Sequence, residues 1–128
     1  MHKIFVYGTL LRGFGNWRWA LKDRAEFIGE RETLPAFTMI NLGAYPGVIS
    51  HGDEVIKGEL FEVTDASVMR DLDRLEGHPN FYIRTSIKLS DGEDAEMYVL
   101  NRAWNYGDHA NVVASGSWRQ AKGKESLV

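Results

Sequence analysis

Ile4-Phe5-Val6-Tyr7-Gly8-Thr9-Leu10 is the stretch on which the fold turns. Four apolar or aromatic residues in succession, two of them β-branched, describe a strand buried on both faces. Gly8 breaks the run and permits backbone angles closed to other residues. Two more glycines, Gly13 and Gly15, follow closely. A buried strand that ends in a glycine turn sets a short row of backbone N–H groups at the rim of a sheet. Such a row can bind an anion or a developing oxyanion; its plainest reading is a tight turn between strand and loop.

Working outward, Asn16 to Lys22 crowds Trp17, Trp19 and Leu21 together and reads as a short helix or an ordered loop. Ala25 to Leu34 is strand-like and stops at Pro35, and Phe37 to Leu42 is a further apolar strand. Gly43-Ala44-Tyr45-Pro46-Gly47 is a turn, after which Val48-Ile49 runs extended into a polar turn from Ser50 to Glu54. Val55 to Val63 reads as a strand whose interior Gly58 marks a bulge or a close backbone approach. Thr64-Asp65 supplies an N-cap for the clearest helix, Ala66 to Leu75, with Val68, Leu72 and Leu75 as its apolar stripe. Gly77 is placed to cap its C-terminus, and Pro79 prevents resumption. Phe81 to Leu89 and Ala95 to Asn101 form a hairpin around Asp91-Gly92, with Ile83, Ile87 and Leu89 on one face and Tyr82, Arg84 and Lys88 on the other. Arg102 to Gly116 reads as loop or short helix, and Arg119 to Val128 as a polar, frayed tail. Strands dominate without regular alternation, which indicates an α+β domain with a curled or barrel-like sheet.

The 128 residues suffice for one domain with a real core, and 44% hydrophobic content is that of a folded protein. A formal charge of −3 leaves no basic footprint for nucleic acid or anionic lipid. The absence of cysteine excludes a disulfide framework, a thiolate metal site and a cysteine nucleophile. No apolar run reaches the ~18 residues of a membrane-spanning helix, and no signal-peptide pattern precedes the first strand. The expectation is a cytoplasmic protein with no nucleic-acid or membrane partner. Trp17, Trp19, Trp104 and Trp118 include candidates for an interface.

Glu76 carries the most chemical information. Four positions after Leu72, it continues the apolar stripe of the helix and not its solvated face. It also sits at the helix C-terminus, where negative charge is unfavourable by a few tenths to about 1 kcal/mol. Burial and dipole together would raise its pKa toward that of a general base working near neutrality; a side chain swung into water would carry no such role. His2, His51, His78 and His109 lack the spacing of a zinc helix. No Gly-Lys-Ser/Thr phosphate loop, Gly-x-Gly-x-x-Gly or Gly-x-Ser-x-Gly elbow is present. Tyr7, Tyr45, Tyr82 and Tyr98 are strand or turn tyrosines whose plainest use is core packing.

Two motifs taken together are more specific. Val6-Tyr7-Gly8-Thr9-Leu10 with Arg12-Gly13, and Leu72-Asp73-Arg74-Leu75-Glu76-Gly77 with Phe81-Tyr82-Ile83-Arg84, resemble the γ-glutamylcyclotransferase-like family. The nearest likeness is to its small γ-glutamylamine cyclotransferase branch, the AIG2-like group. Gly58-Glu59-Leu60-Phe61-Glu62-Val63 and Ser115-Gly116-Ser117-Trp118 support the resemblance, which runs in order from about Ile4 to Trp118. It implies a single domain built as a mixed β-barrel with a few flanking helices, and a reaction needing neither metal nor cofactor. The family cyclises a γ-glutamyl group to 5-oxoproline and releases an amine or amino acid. By position, Glu76 matches its general acid/base, and Tyr7, Gly8, Thr9 and Leu10 match the loop that holds the small γ-glutamyl substrate. Such chemistry suits a partly closed apolar pocket with tyrosine walls, for which Tyr82 and Tyr98 are the further candidates. The competing expectation is a non-catalytic binding module that holds a small acidic ligand in the same pocket.

Overall fold

The structure is a computed structural model and describes residues 1–101 and 111–123. Strand β1 (His2–Val6) lies at the centre of a five-stranded sheet. On one side it pairs antiparallel with β5 (Lys57–Val63), from His2 opposite Val63 to Val6 opposite Glu59. On the other it runs parallel to β7 (Asp94–Leu100), with Ile4 opposite Glu96. This central position explains why Ile4, Phe5 and Val6 are all buried. The sheet is completed by β2 (Glu26–Glu32) beside β5 and β6 (Tyr82–Lys88) beside β7, giving the order β2-β5-β1-β7-β6.

A second sheet has the order β4-β3-β8, from β4 (Pro46–Glu54), β3 (Phe37–Asn41) and β8 (Asn111–Val112). The α+β class with a mixed sheet and few helices is as expected. The five-stranded sheet curls until its two edges touch, with Thr33 beyond β2 bridging antiparallel to Leu89 beyond β6 and the Ser90 N–H donating to the Glu32 carbonyl at 2.9 Å, and the three-stranded sheet stands beside it. The two sheets meet where Gly47 lies against Leu100, so closely that a Cβ on Gly47 would fall 2.7 Å from Leu100 Cγ. Packing density, rather than backbone pairing, joins them.

The helix α2 (Ala66–Leu75) forms where its stripe demands. The Asp65 carboxylate accepts from the Ser67 N–H at 2.8 Å, Val68, Met69 and Leu72 are buried, and Gly77 ends the helix with φ 64°. The β6–β7 hairpin pairs from Tyr82 opposite Leu100 to Lys88 opposite Asp94. Tyr82 and Arg84 share a face as the alternation required, but Tyr82 is buried while Ile83 and Ile87 stay partly exposed. The polar residues Ser50 to Glu54 are not a free turn but part of β4. Ile49 pairs with Thr38 and Glu54 with Phe37, so residues 50–53 bulge outward between two paired positions. Gly58 marks a close approach, because a Cβ there would strike the Val6 carbonyl and lie 2.7 Å from Phe5 Cζ.

The helix α1 (Gly15–Ala20) resolves the Asn16–Lys22 ambiguity in favour of a short helix. At the C-terminal end the chain does not fray from Arg119. Trp118 to Ala121 is a helical turn, α3 (Trp118–Ala121), with the Ser117 hydroxyl accepting from the Gln120 N–H at 3.2 Å and Trp118 fully buried. Residues 124–128, and residues 102–110 of the expected loop with Trp104 among them, lie outside the described residues. Of the other tryptophans, Trp19 is half exposed. Among the described residues no helix is long and apolar enough to cross a membrane.

Candidate active site

A cavity of about 240 Å³ opens where β1 ends, bounded by the C-terminal end of α2 and by β6 and β7. Glu76, Tyr7, Gly8, Thr9, Leu10, Tyr82 and Tyr98 all line it. Residues far apart in the chain thus meet at one place.

Glu76 follows the last turn of α2. Its N–H donates to the Leu72 carbonyl at 2.9 Å, and its own carbonyl accepts from the Tyr82 N–H at 3.2 Å, so its backbone is held from both sides. Among the described residues its carboxyl has no hydrogen bond and no ion pair. Burial pushes its pKa up to about 7. Desolvation, one of the two causes the sequence suggested, raises it.

The loop after β1 is closed by an N–H of Leu11 donating to the Gly8 carbonyl at 3.0 Å, and Trp17 N–H donates to the Thr9 carbonyl at 3.2 Å. Among the described residues the N–H groups of Gly8, Thr9 and Leu10 donate to no protein acceptor. Gly8 and Leu10 are buried, and buried backbone donors are rarely left unmatched. Gly8 is not a left-handed residue, contrary to what a glycine ending a strand suggests. Its requirement is space: a Cβ would sit 2.8 Å from Pro46 Cγ and 2.9 Å from Cδ. A proline ring on β4 has no room to give. Gly8→Ala should therefore lower stability by about 1–3 kcal/mol and raise KM by displacing the cavity wall, as urea unfolding and steady-state rates would show. An unchanged variant would mean that Pro46 yields freely.

The three tyrosines have their hydroxyl protons committed to the protein. Tyr7 donates to the Tyr98 carbonyl at 2.7 Å; burial, then Tyr82 and Glu76, raise its pKa well above the ordinary phenol value, against a lowering influence of the Val48 backbone. Tyr82 donates to the Pro46 carbonyl at 2.6 Å. Tyr98 donates to the Asp73 carboxylate at 2.6 Å, and burial first, then that bond, raise its pKa. Tyr7 thereby ties the end of β1 to β7, and Tyr82 ties β6 to β4 of the second sheet.

Sequence reasoning missed Asn16, Tyr45, Pro46 and Phe81 as lining residues. Asn16 Nδ2 donates to Thr9 Oγ1 at 2.8 Å, a contact made possible by the turn through Gly13 and Gly15 that brings the chain back. Tyr45 and Phe81 pack edge to face with ring centres 6.3 Å apart, and Phe81 against Tyr82 at 4.8 Å, forming an aromatic flank. The Gly43–Gly47 turn was the only local signal for Tyr45. Arg12 of the first motif does not line the cavity. Its N–H donates to Glu59 Oε1 at 2.8 Å, its Nε lies 3.3 Å from Glu59 Oε2, and its guanidinium covers the Phe27 ring at 3.5 Å. Arg119 reaches the same carboxylate at 3.1 Å. That cluster anchors the loop from behind. Among the described residues no three His, Asp or Glu side chains gather as a metal-binding group.

The family profile described as "Gamma-glutamyl cyclotransferase, AIG2-like" matches residues 4–120. A relative from Vibrio cholerae is 33% identical and is covered over 93% of this chain and 96% of its own. The gamma-glutamylcyclotransferase family protein YtfP of Escherichia coli is 31% identical over 91% of this chain and 95% of its own. The crystal structure of an AIG2-like protein from Mus musculus superposes with a TM-score of 0.72 and 28% identity, over 82% of this chain and 80% of that one. With the profile spanning nearly the whole described fold, the chain belongs to the AIG2-like gamma-glutamyl cyclotransferase family.

Proposed function

We propose that this protein cyclises the γ-glutamyl group of a small substrate to 5-oxoproline and releases the attached amine or amino acid, with Glu76 as the general acid/base. The observation that carries this reading is the Glu76 carboxyl: it lines the cavity, has no partner among the described residues, and is held near pKa 7 by burial. The substrate's α-ammonium, with a pKa of ~8, must lose a proton before its nitrogen can attack the γ-carbonyl. A carboxylate of raised pKa is matched to that transfer.

The nitrogen then adds to the γ-carbonyl carbon, forming the C–N bond of a five-membered ring and a tetrahedral oxyanion. The unmatched N–H groups of Gly8, Thr9 and Leu10 support the binding of either that oxyanion or the substrate's α-carboxylate. Collapse breaks the bond to the leaving nitrogen. Across the reaction the attacking nitrogen surrenders two protons and the leaving amine gains two, so no water is consumed. Glu76, alternating between its two forms, ferries them. Because attack is intramolecular, a cavity that folds the substrate supplies much of the remaining acceleration, and the aromatic walls exclude water that would compete.

The pH profile follows from the same assignment. Below about pH 7 Glu76 is protonated and cannot accept, so kcat/KM should fall about tenfold per unit on the acid limb, with its midpoint near 7. A midpoint near 4 would remove Glu76 as the base. The reaction itself is tested by mass-spectrometric detection of 5-oxoproline from γ-glutamyl amines, γ-glutamyl amino acids and glutathione. Release from one class names the leaving group; silence from folded protein across all three overturns the reading.

A further inference from the structure

We propose that Asp73 is a positioning residue: it accepts the hydrogen bond of the Tyr98 hydroxyl, so that the Tyr98 oxygen presents only lone pairs to the cavity and accepts a hydrogen bond from the substrate's α-ammonium beside Glu76. This rests on the γ-glutamyl reading and adds to it the means by which the cavity tells one end of the substrate from the other.

Tyr98 on β7 stands directly opposite Arg84 on β6. Asp73 lies on α2 one turn before Glu76, the spacing that places two side chains on the same side of a helix. Its two oxygens are divided between the hairpin partners. Oδ1 accepts from Tyr98 at 2.6 Å, and Oδ2 lies 3.4 Å from Arg84 Nη2. Arg84 is held in turn by Glu96, with Nε 3.5 Å from Oε2. The carboxylate cannot turn from Tyr98 without leaving Arg84. Asp73 does not itself line the cavity, whereas Tyr98 does.

A phenol has one proton to give. Left free, Tyr98 could rotate and donate to a substrate carboxylate. With that proton spent on Asp73, it can only accept. Tyr7 differs in where its proton goes, to the Tyr98 backbone carbonyl and not to a carboxylate. The γ-glutamyl head carries an ammonium, which needs acceptors, and a carboxylate, which needs donors. The cavity wall offers acceptors at Glu76 and Tyr98 and unmatched N–H donors at Gly8, Thr9 and Leu10. With the ammonium on the acceptors and the carboxylate on the donors, the nitrogen is brought to Glu76.

The test uses Tyr98→Phe, Asp73→Asn and the double variant, with KM for a reactive γ-glutamyl amide and the inhibition constant of the matching glutaryl amide, which lacks the ammonium. Tyr98→Phe should raise KM about tenfold, the loss of one hydrogen bond to a charged group, and leave glutaryl amide inhibition unchanged. Asp73→Asn should act in the same direction, add nothing in the Tyr98→Phe background, and be partly rescued by Asp73→Glu. Additive losses, or equal weakening of both ligands by Tyr98→Phe, overturn the assignment while leaving the cyclotransferase reading intact. Wild-type protein that neither forms 5-oxoproline nor binds either amide overturns both. Should Asp73→Asn fail to fold, Tyr98→Phe, which keeps the ring and its packing, decides the matter through the two ligands alone.

Discussion

Glu76→Gln should lower turnover by at least about 10²-fold, the usual cost of removing a general acid/base, and should do so in a protein that is more stable than wild type at pH 8. Gln keeps the shape of the side chain but neither accepts nor returns a proton. The folded-state pKa of Glu76 is about 7, against an ordinary value of 4.5. The folded protein therefore binds this proton more tightly than the unfolded chain. Its contribution favours folding in acid and is lost as pH rises from about 4.5 to about 7, after which a desolvated charge remains. Removing that charge should return roughly 1–3 kcal/mol above pH 7 and almost nothing at pH 4. Urea unfolding at the two pH values, beside 5-oxoproline formation, separates the outcomes. A variant as active as wild type would remove Glu76 from the chemistry. One that is inactive and also less stable at pH 8 would point to structural damage.

Glu59→Ala carries the largest expected effect on stability. Glu59 is 2% exposed, on β5 directly opposite Val6 at the end of β1. It receives the Arg12 N–H, the Arg12 guanidinium and the Arg119 guanidinium. Arg119 also donates to the Arg12 carbonyl at 2.8 Å, so one carboxylate joins the cradle loop to the C-terminal helix. Deleting it leaves two buried-side cations facing each other across a hole. The cost should be about 3–5 kcal/mol, read as a shift in the denaturant midpoint at constant slope. Glu59→Gln, which retains an acceptor for the Arg12 N–H, should lose less. Because the loop that lines the cavity is tethered here, any Glu59→Ala protein that folds should show a raised KM. If it unfolds at the wild-type midpoint, the cluster is an exposed ion pair in all but appearance.

Much of the site was legible because its parts are local devices. The β1 strand and its glycine turn are written in one short run, and α2 announces itself by cap, stripe and terminal glycine. Glu76 stood out because a charged residue continued an apolar stripe, a contradiction that one helix suffices to expose. The face pattern of Phe81–Leu89 was legible too, but which face the cavity would take was not. The alternation of β6 says that Tyr82 and Arg84 share a side; only the α2 carboxylate of Asp73 and the Pro46 carbonyl decide that this side is the occupied one. Gly8 was recognised for the wrong reason. Glycine is chosen either for its angles or for its missing Cβ, and the atom that forbids a Cβ here belongs to Pro46, on a different sheet. Likewise Ser50–Glu54 has the composition of a turn, and it is the register with β3 that draws it into β4 as a bulge.

By itself, then, the sequence determined the α+β class, the central strand, the principal helix, the family and the acid/base candidate. Each of these depends on periodicity, capping or a run of neighbours within a few residues. The tertiary structure decided what depends on distance in space: that the edges of the five-stranded sheet meet at Thr33 and Leu89 with a second sheet beside it, that Gly8 must yield room to Pro46, that Glu59 holds the loop after β1 to α3, and that Asp73 accepts the hydrogen bond of the Tyr98 hydroxyl. A hydrogen bond between residues 25 positions apart, or one carboxylate shared by residues 12 and 119, leaves no trace in local pattern. Burial did the rest. The same glutamate on a solvated helix end would titrate as an ordinary carboxylate, and only the walls closed around it hold its proton near neutrality.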